Sequence, residues 1–202
     1  YMPELPEVEV VKKSLKKTIY DLTIKNIEIR NKFLRYKIDE KLMKKMIKSK
    51  VLSVSRRSKY IFINLNNGYT IMVHLGMTGK IIIVDANKNK YKTSFYYNLS
   101  DNKAKHNHLI FKFNKKIILI YNDVRKFGFI KFLKKKDFID NIHLKNLGPE
   151  PLDKFFSSAN FKKNIQRTSR TIKEVLMDQK FVSGIGNIYA NEILFSSKVR
   201  PT

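Results

Sequence analysis

Residues 60–73 read YIFINLNNGYTIMV, two runs of β-branched and aromatic residues on either side of Asn66-Asn67-Gly68. Runs of this kind joined by a short Asn- and Gly-containing connection predict a β-hairpin. The same pattern of short strand-type runs and polar turns extends from Leu22 to Leu133. Many short strands at near-regular spacing predict an antiparallel β-sandwich or flattened barrel.

Helical patterns flank the strands. Apolar residues recur every three or four positions from Val8 to Ile19, which predicts an N-terminal helix. We predict an α+β fold: the N-terminal helix plus a two-layer antiparallel β-sandwich at 3–135, a linker at 136–152, and a partial α-helical domain at 153–202. The remaining predicted elements are helices at about 40–47, 153–163, 171–179 and 187–197 and a long surface loop or irregular hairpin at 85–101.

The composition points to a polyanionic partner. The 202 residues contain 42 Lys and Arg against 17 Asp and Glu, a formal charge of +25. Such a balance favours nucleic acid first and an anionic membrane surface second, although we attribute part of the lysine excess to an AT-rich genome. There is neither a membrane-spanning apolar run nor a signal peptide, so we expect a cytoplasmic protein without a membrane partner. With no cysteine, disulfides and thiolate zinc ligands are excluded within these residues.

The residues Met2-Pro3-Glu4 predict an unusual nucleophile. If Met2 is the initiator and is removed, the Pro3 nitrogen becomes a secondary amine, and an α-amino group has a pKa of only about 7.7–8.0. Such an amine can attack an aldehyde-level carbon and form an iminium ion, with Glu4 beside it to transfer protons. The alternative is that Pro3 and Pro6 only mark the start of the helix.

Seven motifs occur in one order along the chain. They are Pro3-Glu4-Leu5-Pro6-Glu7-Val8-Glu9, Arg56-Arg57-Ser58-Lys59-Tyr60, His74-Leu75-Gly76-Met77-Thr78-Gly79, His106-Asn107-His108, Asp123-Val124-Arg125-Lys126-Phe127-Gly128, Leu147-Gly148-Pro149-Glu150-Pro151-Leu152 and Gly184-Ile185-Gly186-Asn187-Ile188-Tyr189-Ala190. In this combination the sequence resembles the bacterial formamidopyrimidine-DNA glycosylases, which are also DNA-(apurinic or apyrimidinic site) lyases of base-excision repair. The resemblance implies removal of oxidised purines such as 8-oxoguanine and formamidopyrimidines, strand cleavage by β,δ-elimination, and a helix-two-turn-helix domain at the C-terminal side.

The resemblance also implies roles for individual residues. Pro3 resembles the nucleophile that forms the Schiff base, and Glu4 the acid that assists opening of the sugar ring. Lys59 resembles the lysine that contacts the phosphate of the damaged nucleotide and donates a proton during elimination. Three further residues resemble the side chains that fill the gap left by the extruded base: Met77, Arg125 and Phe127.

Other residues are implied in DNA binding. His74 and His106 match family contacts, and Asn187 begins a helix whose free N–H groups suit a phosphate. A family lysine falls on Thr168 or Ser169 here, so Lys173, Arg167 or Arg170 is expected to supply that contact. His74, His106 and His108 could also be interpreted as metal ligands, but no carboxylate or cysteine cluster accompanies them, so we predict no metal site within this chain.

The family pattern continues beyond these residues with a zinc finger of four cysteines. We therefore expect a C-terminally truncated chain, no cofactor within it, and one zinc ion in the part that is missing. Because Tyr1-Met2 precedes Pro3, we expect the nucleophile to be blocked until both residues are removed. We expect a monomer that acts on damaged double-stranded DNA at the bacterial nucleoid.

Three alternatives remain open. The first is an endonuclease VIII-like glycosylase for oxidised pyrimidines, which typically begins Pro-Glu-Gly-Pro-Glu and so differs at Leu5. The second is a catalytically inactive DNA-binding remnant. The third is an RNA-binding module, which would bind structured RNA and show no preference for a DNA lesion.

Overall fold

The structure is a computed structural model that describes residues 2–138 and 140–201, and it divides into two compact units, Tyr1–Asp137 and Phe138–Thr202. The first unit contains α1 (Leu5–Ile19), β1 (Ile24–Ile29), α2 (Glu40–Lys44), β2 (Val51–Arg57), β3 (Tyr60–Leu65), β4 (Tyr69–His74), β5 (Gly79–Val84), β6 (Lys90–Lys92), β7 (Asn107–Phe113), β8 (Ile118–Asp123) and β9 (Phe129–Lys134). The second contains α3 (Ser158–Ile165), α4 (Ile172–Met177) and α5 (Asn187–Ser196).

The strands of the first unit form two antiparallel sheets. One sheet has the order β2-β3-β4-β9 and the other the order β1-β7-β8-β5-β6. Alternate residues of the strands point to one face, so Ile61, Ile63 and Leu65 of β3 enter the same core as Leu109 and Phe111 of β7. The predicted α+β fold with a two-layer antiparallel sandwich is confirmed.

Helix α1 packs on this sandwich because its apolar stripe has the expected spacing. Val8, Val11, Leu15 and Ile19 are fully buried and belong to the common core. Burying four such side chains contributes roughly 1.5–3 kcal/mol each relative to exposure. The opposite face of α1 carries lysines and is solvated.

Two segments cross between the sheets at the same place. The last pair of β4 and β9 is His74 with Phe129, and the first pair of β5 and β8 is Gly79 with Asp123. The chain therefore leaves one sheet after His74 and enters the other at Gly79, while residues 124–128 make the return crossing. The two connections, residues 75–78 and 124–128, lie side by side.

The predicted elements differ from the observed ones mainly at their ends. The loop or irregular hairpin predicted at 85–101 contains the short edge strand β6, whose three residues are all exposed and pair with β5. Helix α2 is shorter than the predicted helix at 40–47. Helix α3 begins at Ser158 rather than at Asp153, because the Ser157 hydroxyl caps it by accepting a hydrogen bond from the Asn160 N–H.

The second unit is helical and has a small apolar core. Leu176 of α4 packs with Ala190 and Leu194 of α5. The Gln179 side chain orders the turn between these helices, since its amide donates to the Ile185 carbonyl at 2.8 Å and accepts from the Gly184 N–H at 2.8 Å. Within the described residues, no helix is long and apolar enough to cross a membrane.

An ion pair joins α1 to the β2–β3 hairpin. The Arg56 guanidinium donates to the Glu9 carboxylate at 2.7 Å and to the Ser58 carbonyl at 2.9 Å. Burial alone would raise the pKa of Glu9, but hydrogen bonds from Lys12 and Arg56 outweigh it and lower that pKa. The hairpin turn at Ser58 and Lys59 is thereby held against the first half of α1.

We predict that Arg56→Met lowers the free energy of unfolding by about 1–3 kcal/mol, since it leaves Glu9 and the Ser58 carbonyl without this donor. Denaturant unfolding monitored by circular dichroism measures the change. Lys17→Met, which removes one exposed cation from the same helix, is the control and is expected to change stability by less than about 0.5 kcal/mol. Equal stability of Arg56→Met and Lys17→Met would contradict the prediction.

Candidate active site

Pro3 and Glu4 lie at the start of α1 and are both buried. Glu4 is the residue that precedes the first turn, and its backbone N–H donates to the Glu7 carboxylate at 2.9 Å. Both carboxylates are 1% exposed. The helix dipole makes this end electropositive and the two side chains form a capping box with the N–H groups of Glu4 and Glu7, which stabilises carboxylates there.

Lys59 is brought to this helix end by the β2–β3 turn. Ser58 makes the turn with a positive φ of 53°, and Lys59 follows it immediately before β3. Burial lowers the pKa of Lys59, and the charges of Glu4 and Glu7 oppose that effect. The predicted catalytic residues Glu4 and Lys59 are thus within electrostatic reach of each other, although 55 positions separate them in sequence.

The two crossing connections meet through their glycines. Gly76 has a φ of +60°, and a Cβ on it would lie 2.6 Å from the Phe127 carbonyl carbon. Gly128 likewise leaves no room for a side chain against the His74 carbonyl. Any larger residue at either position would separate the connections, so these glycines permit the close approach.

On these connections Arg125 contacts both of the other predicted gap-filling side chains, Met77 and Phe127. The Arg125 guanidinium lies over the Phe127 ring at 4.3 Å, and its Nη1 donates to the Met77 sulfur at 3.2 Å. Phe127 is 44% exposed, an unusual position for a phenylalanine that serves only as core. We call Met77, Arg125 and Phe127 the wedge.

An open cavity of about 580 Å³ lies beside the wedge. Its lining joins the N-terminal segment to both crossing connections: Met2, Arg35, His74, Gly76, Met77, Arg125, Lys126 and Phe127. Met2 is bonded to Pro3, so the predicted nucleophile adjoins this cavity. Three cationic side chains and a histidine on its wall suit an anionic ligand.

His74 and His106 occupy different settings. The His74 ring stacks on Phe129 at 5.2 Å, and its Nδ1 accepts a hydrogen bond from the Gly76 N–H at 3.2 Å. His106 ends a short turn before β7. Slight burial and the nearby Lys105, His108 and Lys103 lower its pKa, which favours the neutral ring.

Lys173 and Asn187 belong to the second unit. Asn187 is exposed as the first residue of α5, directly after Gly186, and Lys173 is half-buried in the first turn of α4. Of the neighbouring cations considered for the same contact, Arg170 forms an ion pair with Asp178 at 2.7 Å and bonds the Glu174 carbonyl. Arg170 therefore caps α4, whereas Arg167 is exposed.

Sequence reasoning gave no role to Asp123, Thr78 or Arg35. Asp123 and Thr78 stand inside quoted motifs, and a carboxylate at the end of an apolar strand was the available signal. Arg35 lies in an irregular segment without a motif, and only the cavity reveals it. In the described residues there is no group of three or more His, Cys, Asp or Glu side chains that could hold a metal. The expectation about Tyr1 concerns a residue outside the described ones.

Comparison with known proteins gives matches over nearly the whole chain. The family model of the formamidopyrimidine-DNA glycosylase N-terminal domain matches residues 2–130, and that of the formamidopyrimidine-DNA glycosylase H2TH domain matches 147–202. A formamidopyrimidine-DNA glycosylase of Rickettsia massiliae is 38% identical over 200 residues, covering 99% of this chain and 67% of the relative. One of Rhodopseudomonas palustris is 34% identical with 68% of its length covered.

Solved structures give the same result. A complex between Lactococcus lactis Fpg and DNA containing an abasic site aligns with a TM-score of 0.83 at 32% identity, covering 98% of this chain and 68% of that one. A second complex, of Fpg from the same organism with DNA containing N7-benzyl-Fapy-dG, aligns with a TM-score of 0.84. The chain thus spans about two thirds of the length of these relatives.

We predict that Glu7→Gln lowers the pKa of Lys59 further below its ordinary value. The amide keeps an acceptor for the Glu4 N–H but removes one of the two negative charges that oppose the effect of burial. NMR titration of ¹³C-labelled lysine, with Lys59→Arg for assignment, measures the change. Glu28→Gln removes a charge from β1 and is the control, because Glu28 is not among the charges acting on Lys59. An unchanged or raised pKa in Glu7→Gln would contradict this electrostatic account.

Proposed function

Because the chain belongs to the formamidopyrimidine-DNA glycosylase family of base-excision repair enzymes, we propose that it excises oxidised purines from double-stranded DNA and then cleaves the strand. The observation that carries this proposal is the wedge, in which exposed Arg125 contacts both half-buried Met77 and exposed Phe127 beside a cavity that the N-terminal segment also lines. A glycosylase must reach a base that is stacked inside the duplex, and it does so by extruding the base.

Pro3 is the proposed nucleophile. With the preceding residues removed, its nitrogen is a secondary amine beside Glu4 at the start of α1, and such an amine is nucleophilic in its neutral form. The lone pair attacks C1′ of the damaged nucleotide, and the bond from C1′ to the base breaks with the electrons leaving on the base. Opening of the sugar ring at the C1′–O4′ bond then gives an iminium ion between C1′ and Pro3.

Glu4 and Lys59 are the proposed proton-transfer groups. Glu4 takes up the proton that the Pro3 nitrogen loses on attack and passes it to O4′ as the sugar ring opens, and its burial beside Pro3 supports this role. The iminium acidifies the C2′ hydrogens, so loss of one proton expels the 3′-phosphate, and a second elimination releases the 5′ side. A lysine whose pKa is lowered by burial gives up a proton more readily than an exposed one, which suits Lys59 as donor at the phosphate.

The wedge is proposed to replace the extruded base. Unstacking a base costs a few kcal/mol, and inserted apolar or planar side chains recover part of that cost. Met77 and Phe127 provide such surfaces, and Arg125 can donate to the base left without a partner. His74, His106, Lys173 and Asn187 are proposed contacts to the DNA backbone, each placed by its own element. The substrate would be nucleoid DNA.

The domain limits and the zinc ion are also proposals. The expected division at 3–135, 136–152 and 153–202 is supported by family matches at 2–130 and 147–202. The 202 residues contain no cysteine and the described ones no metal-holding cluster, so they do not fit a zinc site. The proposal places two Cys-x-x-Cys pairs in sequence after Thr202, and we derive no catalytic step from them. The coding sequence downstream tests this.

We predict that the full-length protein beginning at Pro3 forms one covalent adduct with a duplex containing 8-oxoguanine opposite cytosine when borohydride is present. Borohydride reduces the iminium to a stable amine, and electrophoresis measures the adduct. The same protein carrying Tyr1-Met2 before Pro3 is the matched control and is expected to form none, because its proline nitrogen is an amide.

Equal trapping by the two forms would disprove Pro3 as nucleophile. Faster trapping on a duplex with an oxidised pyrimidine would favour the endonuclease VIII-like alternative. Binding to the lesion duplex with no adduct from the Pro3 form would favour the inactive DNA-binding remnant.

We predict that Arg125→Met reduces discrimination between cytosine and adenine opposite the lesion, because the orphaned base loses its donor. The expected loss is about 1–3 kcal/mol, measured as the ratio of kcat/KM on the two duplexes. Lys126→Met removes the same charge from the same connection and is the control. A similar loss in both variants would point to a general charge effect instead.

A further inference from the structure

Asp123 has a buried carboxylate that none of the proposed chemical steps uses. It ends β8, is 0% exposed, and immediately precedes the connection that carries Arg125 and Phe127. Burying a carboxylate is costly unless its oxygens are hydrogen-bonded, so its partners indicate why it is there.

Those partners come from both crossing connections. Oδ1 accepts from the Thr78 hydroxyl at 2.5 Å and lies 3.3 Å from the Arg125 N–H, while Oδ2 accepts from the Gly128 N–H at 2.9 Å. Thr78 belongs to the connection that carries Met77, and Arg125 to the other. One carboxylate therefore ties the two parts of the wedge together.

The Thr78 hydroxyl completes this link. While it donates to Asp123, its oxygen accepts from the Arg125 N–H at 3.0 Å. A hydroxyl can do both at once, whereas a methyl group can do neither. The pair of residues thus fixes the backbone of Arg125 relative to the segment of Met77.

We propose that the Asp123 carboxylate and the Thr78 hydroxyl are positioning groups that hold the wedge preformed, ready to enter the duplex when a base is extruded. This inference rests on the proposed function, since it concerns the step in which the wedge replaces the base. Side chains that must be ordered during insertion lose conformational entropy at that moment, and a wedge ordered by folding has already lost it.

The alternative is that Asp123 and Thr78 only stabilise the fold. The two roles differ in their substrate dependence. A single-stranded oligonucleotide with an abasic site has no stacked base to extrude and no orphaned partner, yet it presents the same C1′ to Pro3. Loss of wedge order should therefore impair the duplex reaction and spare the single-stranded one, whereas general destabilisation impairs both.

The test compares Thr78→Val with Thr78→Ser in the full-length protein beginning at Pro3. Valine keeps the shape of threonine but removes the hydroxyl, and serine keeps the hydroxyl. We expect Thr78→Val to lower kcat/KM for lesion excision from a duplex by about tenfold or more. Thr78→Ser should restore most of that loss, and cleavage of the single-stranded abasic oligonucleotide should be the same in all three proteins. Asp123→Asn is expected to resemble Thr78→Val.

A second measurement does not depend on catalysis. The ¹³C-methyl resonance of Met77 reports the order of its side chain in the free protein, and Thr78→Val is expected to lower its order parameter while Thr78→Ser keeps it. An adduct from the wild-type protein together with equal duplex rates for Thr78→Val and Thr78→Ser would overturn the inference. Equal losses of kcat/KM by Thr78→Val on the lesion duplex and on the single-stranded abasic oligonucleotide would also overturn the inference. If the wild-type protein forms no adduct, the proposed function fails. The order parameter of Met77 then still tests the inference: an unchanged value in Thr78→Val overturns it, and a lowered value supports it.

Discussion

The double crossing between the two sheets is the constraint on which the candidate site depends. Two connections that leave one sheet and enter the other at a single point must run side by side, and only residues without a Cβ allow the contact at Gly76 and Gly128. Each connection is anchored at both ends by a hydrogen-bonded strand. The wedge is therefore presented on short, doubly anchored segments, and a sandwich scaffold of this kind gives loop residues fixed positions.

The catalytic end of the site depends on a second arrangement, in which a helix start and a hairpin turn converge. Glu4 and Glu7 are stabilised by the first turn of α1, and Lys59 is turned towards them by the hairpin that the Arg56–Glu9 ion pair holds. Burial disfavours the lysine charge and the two carboxylates favour it. Burial has the larger effect, so the pKa of Lys59 lies below its ordinary value.

Local sequence was sufficient for most of the fold and insufficient for its contacts. The two β-branched and aromatic runs within residues 60–73 predicted their hairpin because the short Asn66-Asn67-Gly68 connection between them is a local turn signal. Residues 85–101 were predicted as a surface loop or irregular hairpin, and the bounds of β6 within them could not be predicted because Lys90, Tyr91 and Lys92 are all exposed and show no apolar alternation. The contact between Met77 and Arg125 spans 48 positions, and no local pattern encodes which loops meet. The roles assigned to individual site residues rested on motif resemblance, not on periodicity.

The burial of Glu4, Glu7 and Asp123 has a further consequence in a chain with a net charge of +25. Carboxylates exposed at the mouth of the cavity would repel an approaching phosphate backbone and hold counterions of their own. Enclosed beneath the surface and bonded to N–H and hydroxyl groups, these three leave the cations of the mouth uncompensated towards solvent. A polyanion that docks there then exchanges its condensed counterions for lysine and arginine side chains, and the ions released into solution supply the driving force.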